Sequence, residues 1–240
     1  MTKTTVRLLV VIATVLLASV PSFATITVEV NPLVSYQQTT NNPCVIGDPS
    51  CKEPAGMTYT SYSGTPLAQN STYDAYSPTY TVTQLIGFLG GKNSFQIGID
   101  ENFANGTETL QDLTVWVCTS SCTSFAANFF SPPSGSQDAA LIAGGYSVLD
   151  QTNTTYGLVT HNGNGYSDAL SSTISLASLA GTAKIVFEAS VSNDTDGMEE
   201  FFLIPTGTPV DQFMPEPASI LLFGTLLAGT GFCMRKRFVA

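Results

Sequence analysis

Positive charge is what this chain has least of. Eight Lys and Arg stand against 18 Asp and Glu, with a single His in 240 residues. Five of the eight lie near the ends, at Lys3, Arg7, Arg235, Lys236 and Arg237. Between residues 25 and 214 only Lys52, Lys92 and Lys184 remain to face 17 of the 18 carboxylates, a net charge of −14. A surface of that sign repels phosphate backbones and anionic lipid, which excludes nucleic-acid binding. It suits a hydrated extracellular matrix or cation binding, and it keeps an exported chain soluble. The scarcity of histidine excludes more. His161 sits in Thr160-His161-Asn162-Gly163-Asn164-Gly165, a loop by composition, and no serine has the Gly-x-Ser-x-Gly setting of a nucleophile elbow. A Ser-His-Asp triad therefore lacks its parts.

Long apolar runs are confined to the two ends. Lys3 and Arg7 precede the run Leu8 to Val20, and Pro21-Ser22-Phe23-Ala24 places small residues at −3 and −1 of a cut after Ala24. Charge, length and cleavage site together predict a secretory signal peptide over residues 1–24. At the other end stand Pro215-Glu216-Pro217, then Ala218 to Met234 without a charge, then Arg235-Lys236-Arg237. Two prolines around a carboxylate hold the backbone extended and open to an enzyme. The uncharged run, as a helix, reaches ~26 Å at ~1.5 Å per residue. That is just enough for a hydrocarbon core of ~30 Å if the basic cluster snorkels. The cationic end stays cytoplasmic and the body lies outside.

Those three parts in that order resemble the PEP-CTERM sorting domain of exopolysaccharide-producing Gram-negative bacteria. The resemblance covers about a tenth of the chain, residues 215–240. It implies recognition by an exosortase, a membrane-embedded cysteine protease-like enzyme, with cleavage or transfer near Pro215, Glu216 and Pro217. An ordinary C-terminal anchor that is never processed is the competing reading.

Cys233 belongs to the membrane run, which leaves Cys44, Cys51, Cys118 and Cys122 in the body. An even number in an exported chain predicts disulfides. Three pairings are open, and geometry favours the local one, Cys44 with Cys51 and Cys118 with Cys122, because each pair brackets turn-forming residues. Four extended steps would separate Cys118 from Cys122 by ~13 Å, beyond what a bridge tolerates, so pairing requires a turn there. A zinc site has neither the spacing nor a second histidine.

Residues 25–214 suit one domain. Phe95, Ile97 and Ile99 alternate with Gln96, Gly98 and Asp100, and Ile185, Phe187, Ala189 and Val191 alternate with Val186, Glu188 and Ser190. Period two predicts strands with one buried face. Similar runs occur at Thr25 to Val30, Tyr80 to Leu89, Leu113 to Val117, Ala139 to Leu149, Thr173 to Leu179 and Glu199 to Ile204, between Gly, Asn, Pro, Ser and Asp. No segment shows a capped helical period. The expected fold is all-β, an antiparallel β-sandwich of jelly-roll type, flanked by the signal peptide and a C-terminal transmembrane helix. Several body segments, among them Phe95 to Asp100, Leu113 to Val117, Gly163 to Asp168 and Asp196 to Phe202, also look similar in order and spacing to β-rich ectodomains of other PEP-CTERM proteins. That likeness supports a β body and carries no activity.

Tyr36 to Tyr80 is poor in aliphatic residues and reads as a long surface excursion tied by Cys44 and Cys51. Its Tyr59, Tyr62, Tyr73, Tyr76 and Tyr80 either stack on sugars or cover the edge of a β core. Asp100-Glu101 and Glu199-Glu200 are candidate carboxylates for glycoside hydrolysis, though neighbours on a strand point to opposite faces. Asp194 and Asp196, which cluster with Asn193 beside Gly197, are the candidate calcium ligands; their spacing is not that of an EF-hand. Four Asn-x-Ser/Thr sequons, at Asn70, Asn105, Asn153 and Asn193, follow from an Asn- and Thr-rich composition in a chain with a bacterial tail. The whole predicts an exported, surface-displayed or matrix-released structural or adhesive protein, not an enzyme. Its expected partners are an exosortase, the membrane through the C-terminal helix, and an exopolysaccharide or other matrix glycan. It needs no cofactor, calcium being the ion it could hold. A carbohydrate-binding module is the alternative, and a secreted hydrolase comes third.

Overall fold

The computed structural model describes residues 24–62, 71–101, 108–133, 136–159, 165–194 and 199–209. Backbone contacts divide the chain into Met1–Thr208 and Pro209–Ala240. The segments expected to form the sorting motif, the membrane run and its basic end, and the signal peptide before Ala24, lie outside the described residues. Among the described residues, no helix is long and apolar enough to cross a membrane.

The described residues open with β1 (Ala24–Ile26), β2 (Val28–Val30), β3 (Cys44–Gly47), β4 (Thr60–Ser61) and β5 (Ser71–Tyr76). There follow β6 (Tyr80–Thr81), α1 (Val82–Phe88), β7 (Ser94–Asp100), β8 (Glu108–Cys118), β9 (Asn128–Phe130) and α2 (Ser136–Ala143). The last described elements are β10 (Ser147–Thr152), β11 (Tyr156–Leu158), β12 (Ala169–Ser171), β13 (Ile174–Ser175), β14 (Lys184–Asp194) and β15 (Glu200–Pro205).

The protein is mostly β, in two mixed sheets. One runs β1-β10-β8-β14-β5-β9, with β11 beside β8 and β6 beside β14; the other runs β2-β12-β7-β15-β3-β4, with β13 beside β7. The expectation of a purely antiparallel body is corrected at two places: β1 pairs with β10, and β3 with β4, in parallel. Alternation explains which side chains fill the core. Ile185, Phe187, Ala189 and Val191 of β14 meet Phe95, Ile97 and Ile99 of β7 and Phe201 and Leu203 of β15 in one cluster drawn from both sheets. The opposite faces are covered too. On the first sheet Tyr76, Trp116 and Val186 pack with Leu141 of α2 and Tyr146. On the second, Leu170, Phe202 and Ile204 pack with Cys44 and Cys51, with Tyr36 and Tyr59 against them. Burial on both faces is why β15 reads Phe201-Phe202-Leu203-Ile204 without alternation. Gly98 lies under this outer layer, where a Cβ would stand 2.7 Å from the Phe202 ring.

Cys44 and Cys51 form one disulfide and Cys118 and Cys122 the other, each with Cα atoms 5.9 Å apart. The local pairing is the one present. Both bridges sit in the outer layers, one opening β3 and the other closing β8.

Four readings of the sequence need correction. Tyr80 to Leu89 is not a strand: after two residues Thr81 caps α1, its Oγ1 accepting from the Gln84 amide at 3.2 Å while Gln84 Oε1 accepts from the Thr81 amide at 2.8 Å. That reciprocal box satisfies two otherwise orphaned donors. Ala139 to Leu149 divides into the end of α2 and the start of β10, and Thr173 to Leu179 keeps only the short β13. The stretch from Tyr36 to Tyr80 is no surface excursion, since β3 lies between β15 and β4 and β5 between β14 and β9.

Candidate functional site

Three neighbouring strands of the second sheet end in carboxylates on its outer face. Antiparallel register sets Glu200, the first residue of β15, directly opposite Asp100, the last of β7. Asp168 enters β12 on the other side of β7, its amide donating to the Ile99 carbonyl at 2.8 Å. Asp100, Asp168 and Glu200 expose 0, 1 and 2 % of their surface. Backbone amides orient them: Gly165 N–H donates to Asp100 Oδ2, and Glu101 N–H to Asp168 Oδ2 at 3.1 Å. Over Glu200 lies the turn that follows β3. There Ser50 N–H donates to Asp48 Oδ1 and Ser50 Oγ donates to Glu200 Oε1 at 3.0 Å. The Asp48 carbonyl accepts from Tyr59 Oη at 3.1 Å, which ties the turn down.

Burial dominates the chemistry of this group. It pushes Asp100 up to about 8 against the opposing Gly165 hydrogen bond, and Glu200, Asp168 and Asp48 add repulsion. Glu200 is pushed up to about 7, again first by burial; Ser50 opposes the rise, Asp48 adds to it and Lys52 lowers it. Glu101, Glu108 and Glu199 are buried as well, and Glu199 N–H donates to Tyr73 Oη at 3.3 Å. For Asp100 and Glu200 burial disfavours the charged form, so each holds its proton to a higher pH than an exposed carboxylate does.

A second polar group crosses the first sheet. Trp116 Nε1 donates to Glu188 Oε2 at 2.6 Å, and Tyr76 Oη lies 2.9 Å from both Glu188 Oε1 and Asp138 Oδ1. It joins β5, β8 and β14 to α2 and lies beneath that outer layer.

The structure brings together two of the carboxylate runs singled out in the sequence. It does so crosswise, pairing Asp100 with Glu200 on one face, as strand alternation requires. Asp168 is the residue sequence reasoning missed. Its only signal was a carboxylate just ahead of the apolar pair Ala169-Leu170. Asp194, expected to ligate calcium, ends β14 opposite Ser71 across a bulge, where Asn193 has φ of 64°. Asp196 and His161 lie outside the described residues. The tyrosines do not form an exposed platform: Tyr73, Tyr76 and Tyr80 are buried, and Tyr62 stacks on Phe129 with centroids 4.2 Å apart. The first three rings are core, while Tyr62 and Tyr59 are partly buried against it. Cys44, Cys51 and Glu200 place potential metal-ligating atoms within 4.8 Å of one another. The two sulfurs are spent in a disulfide, so no thiolate is offered there. The chain matches no protein-family model and no curated protein.

Proposed function

We propose that this protein is exported by its N-terminal signal, held by its C-terminal helix, and displayed or released by an exosortase as a structural or adhesive component of a polysaccharide-rich matrix. The described body is then read as a β-sandwich of jelly-roll type whose two bridges pin loops in an oxidising compartment. One observation carries the proposal: an export signal stands before an acidic β body, and Pro215-Glu216-Pro217, the run Ala218 to Met234 and Arg235-Lys236-Arg237 follow it in that order. The remaining features agree with it. The body is strongly acidic, which suits a soluble, hydrated matrix component. Its buried carboxyls offer a sugar ring no open approach, and its tyrosines are mostly core, so neither hydrolysis nor glycan stacking gains support from them.

Intact mass of the protein recovered from its native host tests the reading. A mature C-terminus within or beside Pro215 to Pro217 is the expected result. A terminus at Ala240 would overturn sorting by an exosortase and leave a plain membrane anchor.

A further inference from the structure

We propose that removal of the signal peptide completes an ion pair: cleavage after Ala24 creates an α-ammonium group at Thr25 that binds the buried carboxylate of Asp150. The inference rests on the cleavage reading of the N-terminal signal and adds a structural consequence to it. Two independent observations meet at one point. The first is in the sequence, where Ser22 and Ala24 stand at −3 and −1 of the cut. The second is in the register of the first sheet, where β1 lies parallel to β10 with Ala24 beside Asp150, Thr25 beside Gln151 and Ile26 beside Thr152. The bond to be cut therefore lies at Asp150. Neighbouring strands are roughly 4.8 Å apart, so an amine at Thr25 stands within side-chain reach of that residue.

Asp150 lacks a partner for one oxygen. It sits directly opposite Val115 of β8, a member of the shared core, and directly opposed residues share a face, so its carboxylate is turned inward. It exposes 6 % of its surface, and its Oδ1 is buried without a hydrogen bond. Burial raises its carboxyl above the ordinary value, and the Gln151 amide opposes the rise. On the adjoining β8, Asp112 has both oxygens engaged, by the Thr114 hydroxyl at 2.6 Å and the Thr152 hydroxyl at 3.0 Å. The lysines of the body are placed elsewhere. Lys184 donates to the Cys122 carbonyl at 3.0 Å, Lys52 lowers the pKa of Glu200, and Lys92 lies in the turn after α1.

Before cleavage the Thr25 nitrogen is a neutral amide. Hydrolysis adds water across the Ala24–Thr25 bond, leaving a carboxylate on the departing peptide and a protonated amine on Thr25, a group whose ordinary pKa is about 7.7–8.0. The cut also takes Ala24 from β1, so Thr25 and Ile26 alone remain to pair with β10. A charge-assisted hydrogen bond to Asp150 offsets that loss and anchors Ile26, which is wholly buried in the core.

The test begins with the N-terminus of the protein recovered from its native host, read by mass spectrometry. It continues with thermal unfolding of residues 25–240 in detergent near neutral pH, the α-amine either free or acetylated by an N-terminal acetyltransferase. Thr25 is the expected first residue. Acetylation should lower the melting temperature by roughly 2–4 °C in the wild type and leave Asp150→Asn unchanged. If Asp150→Asn does not fold, the wild type decides alone: the pKa of the Thr25 amine, read from the pH dependence of its acylation rate, should lie above the ordinary range, and a value within that range would overturn the pair. Equal shifts on acetylation in both backgrounds, or none in the wild type, would overturn the ion pair and leave the cleavage reading standing. A mature N-terminus other than Thr25 would overturn both.

Discussion

Tyr76 has one hydroxyl proton and two carboxylates within 2.9 Å of its oxygen. Both contacts can be hydrogen bonds only if one carboxyl is protonated and donates to the phenol. Glu188 is that group: burial first, and Asp138 second, hold it well above the ordinary glutamate value of 4.5. Its neutral form donates to Tyr76, which donates to Asp138, while Oε2 keeps the Trp116 proton. The sign of the pH effect follows. Because the folded-state pKa is raised, the stabilisation is fully present below 4.5 and is lost as pH rises through the raised value. Glu188→Gln mimics the protonated acid, an amide oxygen accepting from Trp116 and an amide nitrogen donating to Tyr76. Its melting temperature should equal that of the wild type in mild acid and exceed it above neutrality, measured by calorimetry across pH with EDTA present. Tyr76→Phe removes the bridging hydroxyl from both carboxyls and should cost about 1–3 kcal/mol at every pH in that range. Equal pH slopes for Glu188→Gln and wild type would refute the shared proton.

Among the elements, α1 shows how a short segment escapes sequence reading. Seven residues make two turns, too few for a period of 3.6 to separate from the alternation of a strand, and Val82, Leu85 and Ile86 pack inward like strand residues. The decisive signal was local, Thr81 three residues before Gln84, and it was present in the sequence. Thr81→Ala should therefore cost about 0.5–2 kcal/mol by urea unfolding, a loss that Thr81→Ser should largely avoid. No loss would mean that packing of Val82 and Leu85 holds the turn unaided. β5 was hidden for the opposite reason. Its residues Ser71-Thr72-Tyr73-Asp74-Ala75-Tyr76 are mostly polar by type, yet Tyr73 and Ala75 face the core and Tyr76 the outer layer, with hydroxyls that carry their polarity to partners. By contrast β7, β8 and β14 alternate aliphatic with polar residues over most of their length and were legible, as was the local pairing of cysteines. The carboxylate site was half legible. Asp100 ends one apolar strand and Glu200 begins another, but only the register, a long-range property, sets them opposite each other.

At the scale of the whole molecule, the order of strands in space makes the last one indispensable. β15 lies between β7 and β3, and Phe201, Phe202, Leu203 and Ile204 are buried in both the shared core and the outer layer. Beyond it Thr208 N–H closes a turn on the Pro205 carbonyl at 3.1 Å, and there the first unit ends. The body therefore cannot complete its second sheet until nearly all of residues 25–208 are available. Two truncations separate the contributions. A chain of residues 25–208 keeps β15 whole and should unfold in one cooperative transition. One ending at Glu199 loses a central strand with four large apolar side chains, each worth roughly 1.5–3 kcal/mol of burial. That is comparable to a whole domain's stability of about 5–15 kcal/mol, before the strand's hydrogen bonds are counted. It should show no cooperative transition by circular dichroism. A cooperative melt of the shorter chain would mean that the first sheet folds without the second, and that the shared core is not the unit of stability.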